Sequence, residues 1–197
     1  MDSMDTPGKP TLAGELGALQ RGMERISDGF RSLTGDLRTH QLAWRPAPER
    51  WSIAQCLTHL TRTADLYLLE IDAAIARGRE MDVSRRRRSR EPLFTRFILR
   101  VVEPPVRLRV RAPRAFLPPP DPDLAGALPG FLASQERVIE RMRRAEGLDL
   151  FGLRLRSPAI PLIRLSLRQA FAILGAHARR HMDQVRRVRE DPAFPAP

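Results

Sequence analysis

Two histidines, His177 and His181, lie four residues apart in the stretch HARRHMDQ. On an α-helix this spacing places both imidazoles on one face, one turn apart. Their positions continue an apolar stripe between Leu174 and Val185, so both side chains are expected to point into the protein. Buried imidazoles are unfavourable unless each finds a partner, and one divalent metal ion would satisfy both.

A third ligand would have to come from another part of the chain, and His59 in the stretch LTHL is the candidate. It lies beside the apolar stripe of a second predicted helix. Two alternatives stay open at this point: the pair can lie half-exposed at a helix edge, and His59 can be a core histidine bonded within the protein. His40 is predicted to lie exposed in a loop. Cys56 is interpreted as a small buried apolar residue, or as the fourth ligand of a closed structural site.

The helices that must position these histidines can be read from the apolar periodicity. The first is predicted from Leu12, where apolar residues begin to recur at alternating steps of four and three. The following stretch RTHQLAWRPAPERW is predicted to be a loop because of its two prolines. Ser52 and Gln55 form a capping-box pattern that predicts the start of the second helix, with Trp51 docked behind it. Gly78 is predicted to end this helix.

Residues 79–120 are predicted to be a long irregular crossover that contains the run SRRRRSR. Its apolar piece at 93–102 is expected to lie over the bundle as a short amphipathic helix, with a membrane surface as the alternative.

The remaining two helices follow this crossover. Asp121 and Pro122 predict the cap and first turn of the third helix, which Pro129 should kink or delay. Residues 147–161 are predicted to be irregular or extended. The fourth helix is expected to begin at SLRQ, where Ser166 and Gln169 repeat the capping-box pattern, and it carries the histidine pair.

Composition limits the class of protein. A chain of 197 residues with 42% hydrophobic residues predicts one domain over 1–197 with a core at about 12–190. Neither a transmembrane run nor a signal peptide is found, and the single cysteine permits no internal disulfide, so a cytoplasmic protein is expected. The net charge of +11 suggests nucleic acid, but all but one of the 34 basic residues are arginine and are spread throughout the chain. Nucleic-acid binding is therefore not the favoured interpretation.

The stretches WRPAPERWSIAQCLTHL and FAILGAHARRHMDQV together resemble the DinB-like superfamily. Its hallmark is one histidine on the second helix and H-x3-H, often followed by x2-Q, on the fourth. The resemblance covers about residues 12–190. It implies an all-α four-helix bundle with an up-down-down-up arrangement and a divalent metal, commonly nickel or zinc. The implied metal ligands are His59, His177 and His181.

The resemblance also suggests several activities. Some relatives are transferases or isomerases that use bacillithiol, mycothiol or glutathione, and others are described as metal-dependent hydrolases. The favoured prediction is a metal-dependent S-transferase that joins a low-molecular-weight thiol to a small electrophilic substrate. A hydrolase and a non-enzymatic, stress-associated metal-binding bundle are the alternatives, and a homodimer is allowed for.

Side chains that could assist such a metal site are few. Gln184, three residues after His181, and Gln55, four before His59, share the helix faces of the histidines and are predicted to hydrogen-bond to the ligands or the substrate. Gln55 has the competing role in the capping box. Asp183 and Asp65 are rotated away by helical spacing, so no carboxylate general base is expected.

Overall fold

The structure is a computed structural model, described here for residues 12–81 and 113–197. These residues form five α-helices, a short 3-10 helix at Arg114–Phe116 and a two-stranded sheet. The helices are α1 (Leu12–Thr34), α2 (Thr39–Ala43), α3 (Ile53–Glu80), α4 (Ala127–Arg144) and α5 (Leu167–Arg189). The strands are β1 (Arg154–Arg156) and β2 (Arg164–Ser166), which pair antiparallel.

The four long helices pack as a bundle. Helices α1 and α3 each pack against both α4 and α5. Phe30, Phe131 and Phe171 are fully buried in the shared core, and the rings of Phe30 and Phe131 lie 4.5 Å apart between centroids. The predicted all-α bundle class is confirmed, whereas the up-down-down-up order of helix directions stays a prediction.

The two helices that carry the histidines both begin with the predicted capping box. At α3 the Ser52 N–H donates to Gln55 Oε1 (3.0 Å), and the Gln55 N–H donates to Ser52 Oγ (3.2 Å). At α5 Ser166 and Gln169 make the same two bonds, at 2.6 and 3.2 Å. These reciprocal bonds fix the first turn of each helix and therefore the rotation at which its histidines project.

The segment predicted to be a loop after the first helix contains α2, so that prediction was wrong for residues 39–43. The Arg38 N–H donates to Gln41 Oε1 (2.9 Å), and this local bond supports the first turn of α2. The two prolines of the segment lie beyond Trp44, where the helix has already ended.

Gly78 does not end the second helix, which continues to Glu80. The physical reason for the glycine is close packing. A Cβ atom at this position would lie 2.5 Å from Leu153 Cδ1, a distance that no real Cβ contact tolerates. Gly78 therefore lets α3 approach the chain segment that leads into β1.

The third helix begins at Ala127, later than the predicted cap at Asp121 and Pro122. The Asp123 carboxylate instead accepts a hydrogen bond from the Gly126 N–H (3.1 Å), just before the helix starts. Pro129 lies in the first turn, where a backbone N–H has no intrahelical acceptor, so it is tolerated there. The predicted delay agrees with this late start.

The stretch predicted to be irregular or extended contains β1, but the β-hairpin with β2 was not predicted. Leu155 pairs with Leu165, and both are buried while their neighbours Arg154, Arg156 and Arg164 are exposed. The run SRRRRSR and the apolar piece at 93–102 lie outside the described residues. None of the described helices has the length and apolar character to cross a membrane.

Candidate metal centre

Helices α3 and α5 bring His59, His177 and His181 together. One ligand nitrogen from each residue lies within 4.8 Å of the other two. His59 and His181 are buried, with 2% and 6% of their surface exposed, while His177 is half-buried. The three residues predicted from the sequence thus meet at one place, and His177 is the most exposed of them.

A backbone carbonyl fixes the ring of His59. His59 Nδ1 lies 2.6 Å from the carbonyl oxygen of Phe116, which can only accept, so Nδ1 carries the proton. In the neutral ring the lone pair is therefore on Nε2, which accepts from His177 Nε2 at 2.9 Å. Sequence reasoning missed Phe116, because a main-chain oxygen leaves no signal in residue type.

His181 is the least satisfied of the three histidines. Its Nδ1 is buried and has no hydrogen-bond partner within residues 12–81 and 113–197. An unpaired buried polar nitrogen costs about 1–3 kcal/mol. A divalent ion bound by one nitrogen of each ring would give His181 a partner in the cluster and would also replace the contact between the other two histidines. The donor set therefore fits a metal ion such as zinc or nickel.

All three imidazoles have depressed pKa values. Burial is the main cause, and it lowers the pKa of His177 to about 3, with smaller contributions from the charges of His59 and Arg180. Burial likewise lowers the pKa of His59, and it lowers that of His181 strongly, although a hydrogen bond with the Gln184 side chain opposes the latter shift. Near neutral pH the three rings are unprotonated, which is the form that binds a metal.

Trp51 covers one side of the cluster. Its ring centroid lies 4.8 Å from that of His59 and 5.9 Å from that of His181, and it stacks nearly parallel to the latter at 17°. The side chain is half-buried and packs against the hydrophobic core. The sequence placed Trp51 next to the cap of α3 but gave no sign of this contact with the histidines.

The two glutamines predicted to assist the site differ. The amide of Gln55 is used in the capping box and in a bond from its Nε2 to the Pro120 carbonyl (3.2 Å). Within the described residues, Gln55 makes no hydrogen bond to a histidine, so its predicted role beside the metal ligands is not supported. The Gln184 side chain is close enough to His181 to oppose the depression of its pKa, and the predicted role of Gln184 in orienting this ring stays a prediction.

Other candidate ligands are not part of the cluster. Cys56 is completely buried, and burial raises the pKa of its thiol to about 12. Asp183 binds Arg186 (2.7 Å) and Asp65 binds Arg137 (2.6 Å), which agrees with the prediction that both carboxylates point away. Within the described ranges no cysteine, aspartate or glutamate joins the three histidines.

Comparison with known proteins gives a family. Searches of curated proteins and of solved structures returned no significant match. A sequence model of the DinB superfamily, however, matches residues 23–185, which include α3, α4 and most of α5. This range covers most of the chain and contains all three clustered histidines. The chain therefore belongs to the DinB superfamily.

Proposed function

We propose that His59, His177 and His181 bind one divalent ion, zinc or nickel, and that the protein is a metal-dependent enzyme. The observation that carries the proposal is that one ligand nitrogen of each histidine lies within 4.8 Å of the other two, in a cluster where the buried His181 Nδ1 also has no partner in the described structure. Three protein ligands leave coordination positions for a substrate, which is typical of catalytic rather than structural sites. When bound, the ion would act as a Lewis acid that lowers the pKa of a coordinated group.

The surroundings favour thiol chemistry over hydrolysis. Hydrolytic sites commonly pair the metal with a carboxylate base, and here Asp65 and Asp183 are engaged in ion pairs. A thiol has an ordinary pKa near 8.5, so a moderate decrease releases its proton without a protein base. Cys56 is too deeply buried to supply it. We infer that a low-molecular-weight thiol is the nucleophile and that the protein works in the cytoplasm, where thiols are kept reduced.

In this reaction the thiol loses its proton, a sulfur–carbon bond forms to a small electrophile, and the leaving group departs with its electron pair and takes up a proton. The protein's own contribution is positioning. The Phe116 carbonyl holds His59, Gln184 orients His181, and Trp51 shields the buried side of the cluster from water.

The test compares metal-loaded and metal-free protein. Metal content of untagged protein is measured first, and the protein loaded with zinc or nickel is then assayed with glutathione, mycothiol or bacillithiol and 1-chloro-2,4-dinitrobenzene. We expect thiol conjugation that disappears in the metal-free protein and in His181→Ala. Metal-dependent hydrolysis of p-nitrophenyl acetate without conjugation would instead identify a hydrolase. Metal binding with neither activity would indicate the non-enzymatic bundle.

A further inference from the structure

Arg180 lies on α5 between two of the clustered histidines. It follows His177 by three residues and precedes His181 by one, and its charge acts on both rings. The side chain is half-buried. Arg180 makes no hydrogen bond or ion pair with any residue in the described part of the chain.

Three other half-buried arginines of the described structure are each paired with a carboxylate. Arg141 binds Asp72, Arg168 binds Glu15, and Arg189 binds Asp36. Partial burial of a charge is unfavourable unless an opposite charge or hydrogen-bond acceptors compensate. Burial of Arg180 and repulsion from Arg187 both lower the pKa of its guanidinium. Its compensating partner is therefore missing from the described residues.

We propose that Arg180 binds an anionic group, a carboxylate or a phosphate, on the small molecule on which the three-histidine site acts. This inference rests on the proposed function and names a property of its substrate. The planar guanidinium matches both groups, since each can accept two parallel hydrogen bonds.

The charge balance of the site supports the same inference. The three histidines are neutral ligands, so they do not offset the charge of a divalent ion, and the nearby carboxylate of Asp183 binds Arg186. With a metal bound, the ion and Arg180 together would give the site a strong positive potential. An anionic substrate is attracted to such a site and compensates both charges.

The experiment uses Trp51 as a reporter, because its ring stacks on His181. The chain has two tryptophans, and the other, Trp44, packs edge-on against Phe194. In a Trp44→Phe background, zinc-loaded protein is titrated with inorganic phosphate and with succinate at constant ionic strength, and Trp51 emission is followed. We expect saturable binding of at least one probe, and the tighter one identifies the anionic group.

Variants distinguish a specific contribution of Arg180 to anion affinity from the effect of the protein's net charge. Arg180→Gln should weaken binding by about tenfold to a hundredfold, the loss expected for hydrogen bonds to a charged group. Arg180→Lys should retain part of the affinity. Arg186→Gln removes the same charge from the exposed side of α5 and should bind like the parent. Equal losses in Arg180→Gln and Arg186→Gln, or no loss in Arg180→Gln, would overturn the proposal.

Thermal unfolding of the same variants distinguishes a ligand-binding residue from a structural one. Without anion, Arg180→Gln should have the same Tm as the parent or a higher one, because an uncompensated charge is removed. A lower Tm together with unchanged anion binding would show that Arg180 pairs within the chain, for example with Asp82, Glu91 or Glu103, and would refute the inference. Titration of metal-free protein keeps the two proposals separable: if zinc does not bind, the proposed function fails, while Arg180-dependent anion binding is still measurable.

Discussion

Helix α3 presents polar groups on two faces that are stabilised in different ways. Toward α5 it presents His59, which is 2% exposed and bonded to Phe116 and His177. Toward α4 it presents Asp65 and Asp72, whose side chains are 47% and 37% exposed and which bind arginines of α4. One face is buried and neutral, and the other is exposed and charged.

The two faces differ in what they require. Exposed ion pairs satisfy each other and contribute about 0–1 kcal/mol, so the α4 face needs nothing from outside the chain. The histidine face, defined as His59 of α3 together with His177 and His181 of α5, includes a buried nitrogen, His181 Nδ1, without a partner in the described structure. Gln135 Oε1 of α4 is also buried without a partner in the described structure, but only the nitrogen of His181 belongs to a group of metal-ligating side chains, so we expect a ligand at the histidine face.

The strongest test of this contrast is removal of a histidine. His59→Ala, His177→Ala and His181→Ala should each lower zinc or nickel affinity by orders of magnitude, because each removes one of three ligands. His40→Ala is the control, since His40 is exposed and bonds to the Ala196 carbonyl (3.1 Å). Competition titrations with a chelator measure the effect. Parent-like affinity in His59→Ala alone would mean that the site is not tripartite.

Acid should destabilise the metal-free protein because the buried histidines resist protonation in the folded state. The folded pKa of His177 is about 3 and its ordinary value is 6.5, so between these values the unfolded chain binds more protons than the folded one. Stability is therefore lost as the pH falls below about 6.5 and the loss levels off near 3, amounting to a few kcal/mol at about 1.4 kcal/mol per pKa unit. Urea unfolding at about pH 7 and about pH 5 measures it.

The matched variants for this acid effect are His177→Ala and His40→Ala. His177→Ala should lose less stability between the two pH values than the parent, while His40→Ala should behave like the parent. If all three proteins lose the same stability, the depressed pKa of His177 is not the source of the acid sensitivity.

Trp51 contacts two of the histidines without being a ligand, so its removal tests the packing of the histidine face separately from metal binding. Trp51→Ala should cost about 2 kcal/mol, less than for a fully buried aromatic, because the side chain is half-buried. Trp51→Phe keeps most of the packing and should cost less. Chemical denaturation measures both, and a loss below about 1 kcal/mol in Trp51→Ala would show that the ring contributes little to the core.

The smallest effect is expected on the α4 face. Asp72→Ala removes bonds to Arg141 (3.2 Å) and Arg144 (3.3 Å), yet exposure limits the expected loss to about 1 kcal/mol or less. Added salt should reduce the difference from the parent further. Metal affinity should not change. If Asp72→Ala lowered the free energy of unfolding as much as Trp51→Ala does, the proposed difference between the two faces would be wrong.

Features with a local cause were predictable from the sequence. The capping boxes at Ser52 and Ser166 involve residues three apart, and the spacing of His177 and His181 is set by one helical turn. These signals located the helix starts and the histidine pair without knowledge of the tertiary fold. His59, which is distant in sequence, was a candidate third ligand from its place beside the apolar stripe of the second helix, and the family resemblance then implied that it joins the pair.

Features with a tertiary cause were missed or misread. Gly78 looked like a helix end because glycine often ends helices, but it allows close approach of Leu153. The hairpin of β1 and β2 depends on pairing between segments that are too short to show clear alternation. Arg180 looked like one of many arginines, and only its surroundings distinguish it.

The bond from His59 to the Phe116 carbonyl has a consequence for mutagenesis. Every residue type offers the same main-chain oxygen, so a scan of side chains would report position 116 as a buried core site and would not reveal its hold on the imidazole. Changes in chain length next to the 3-10 helix would displace that oxygen. We therefore expect insertions or deletions there to impair metal binding where point substitutions do not.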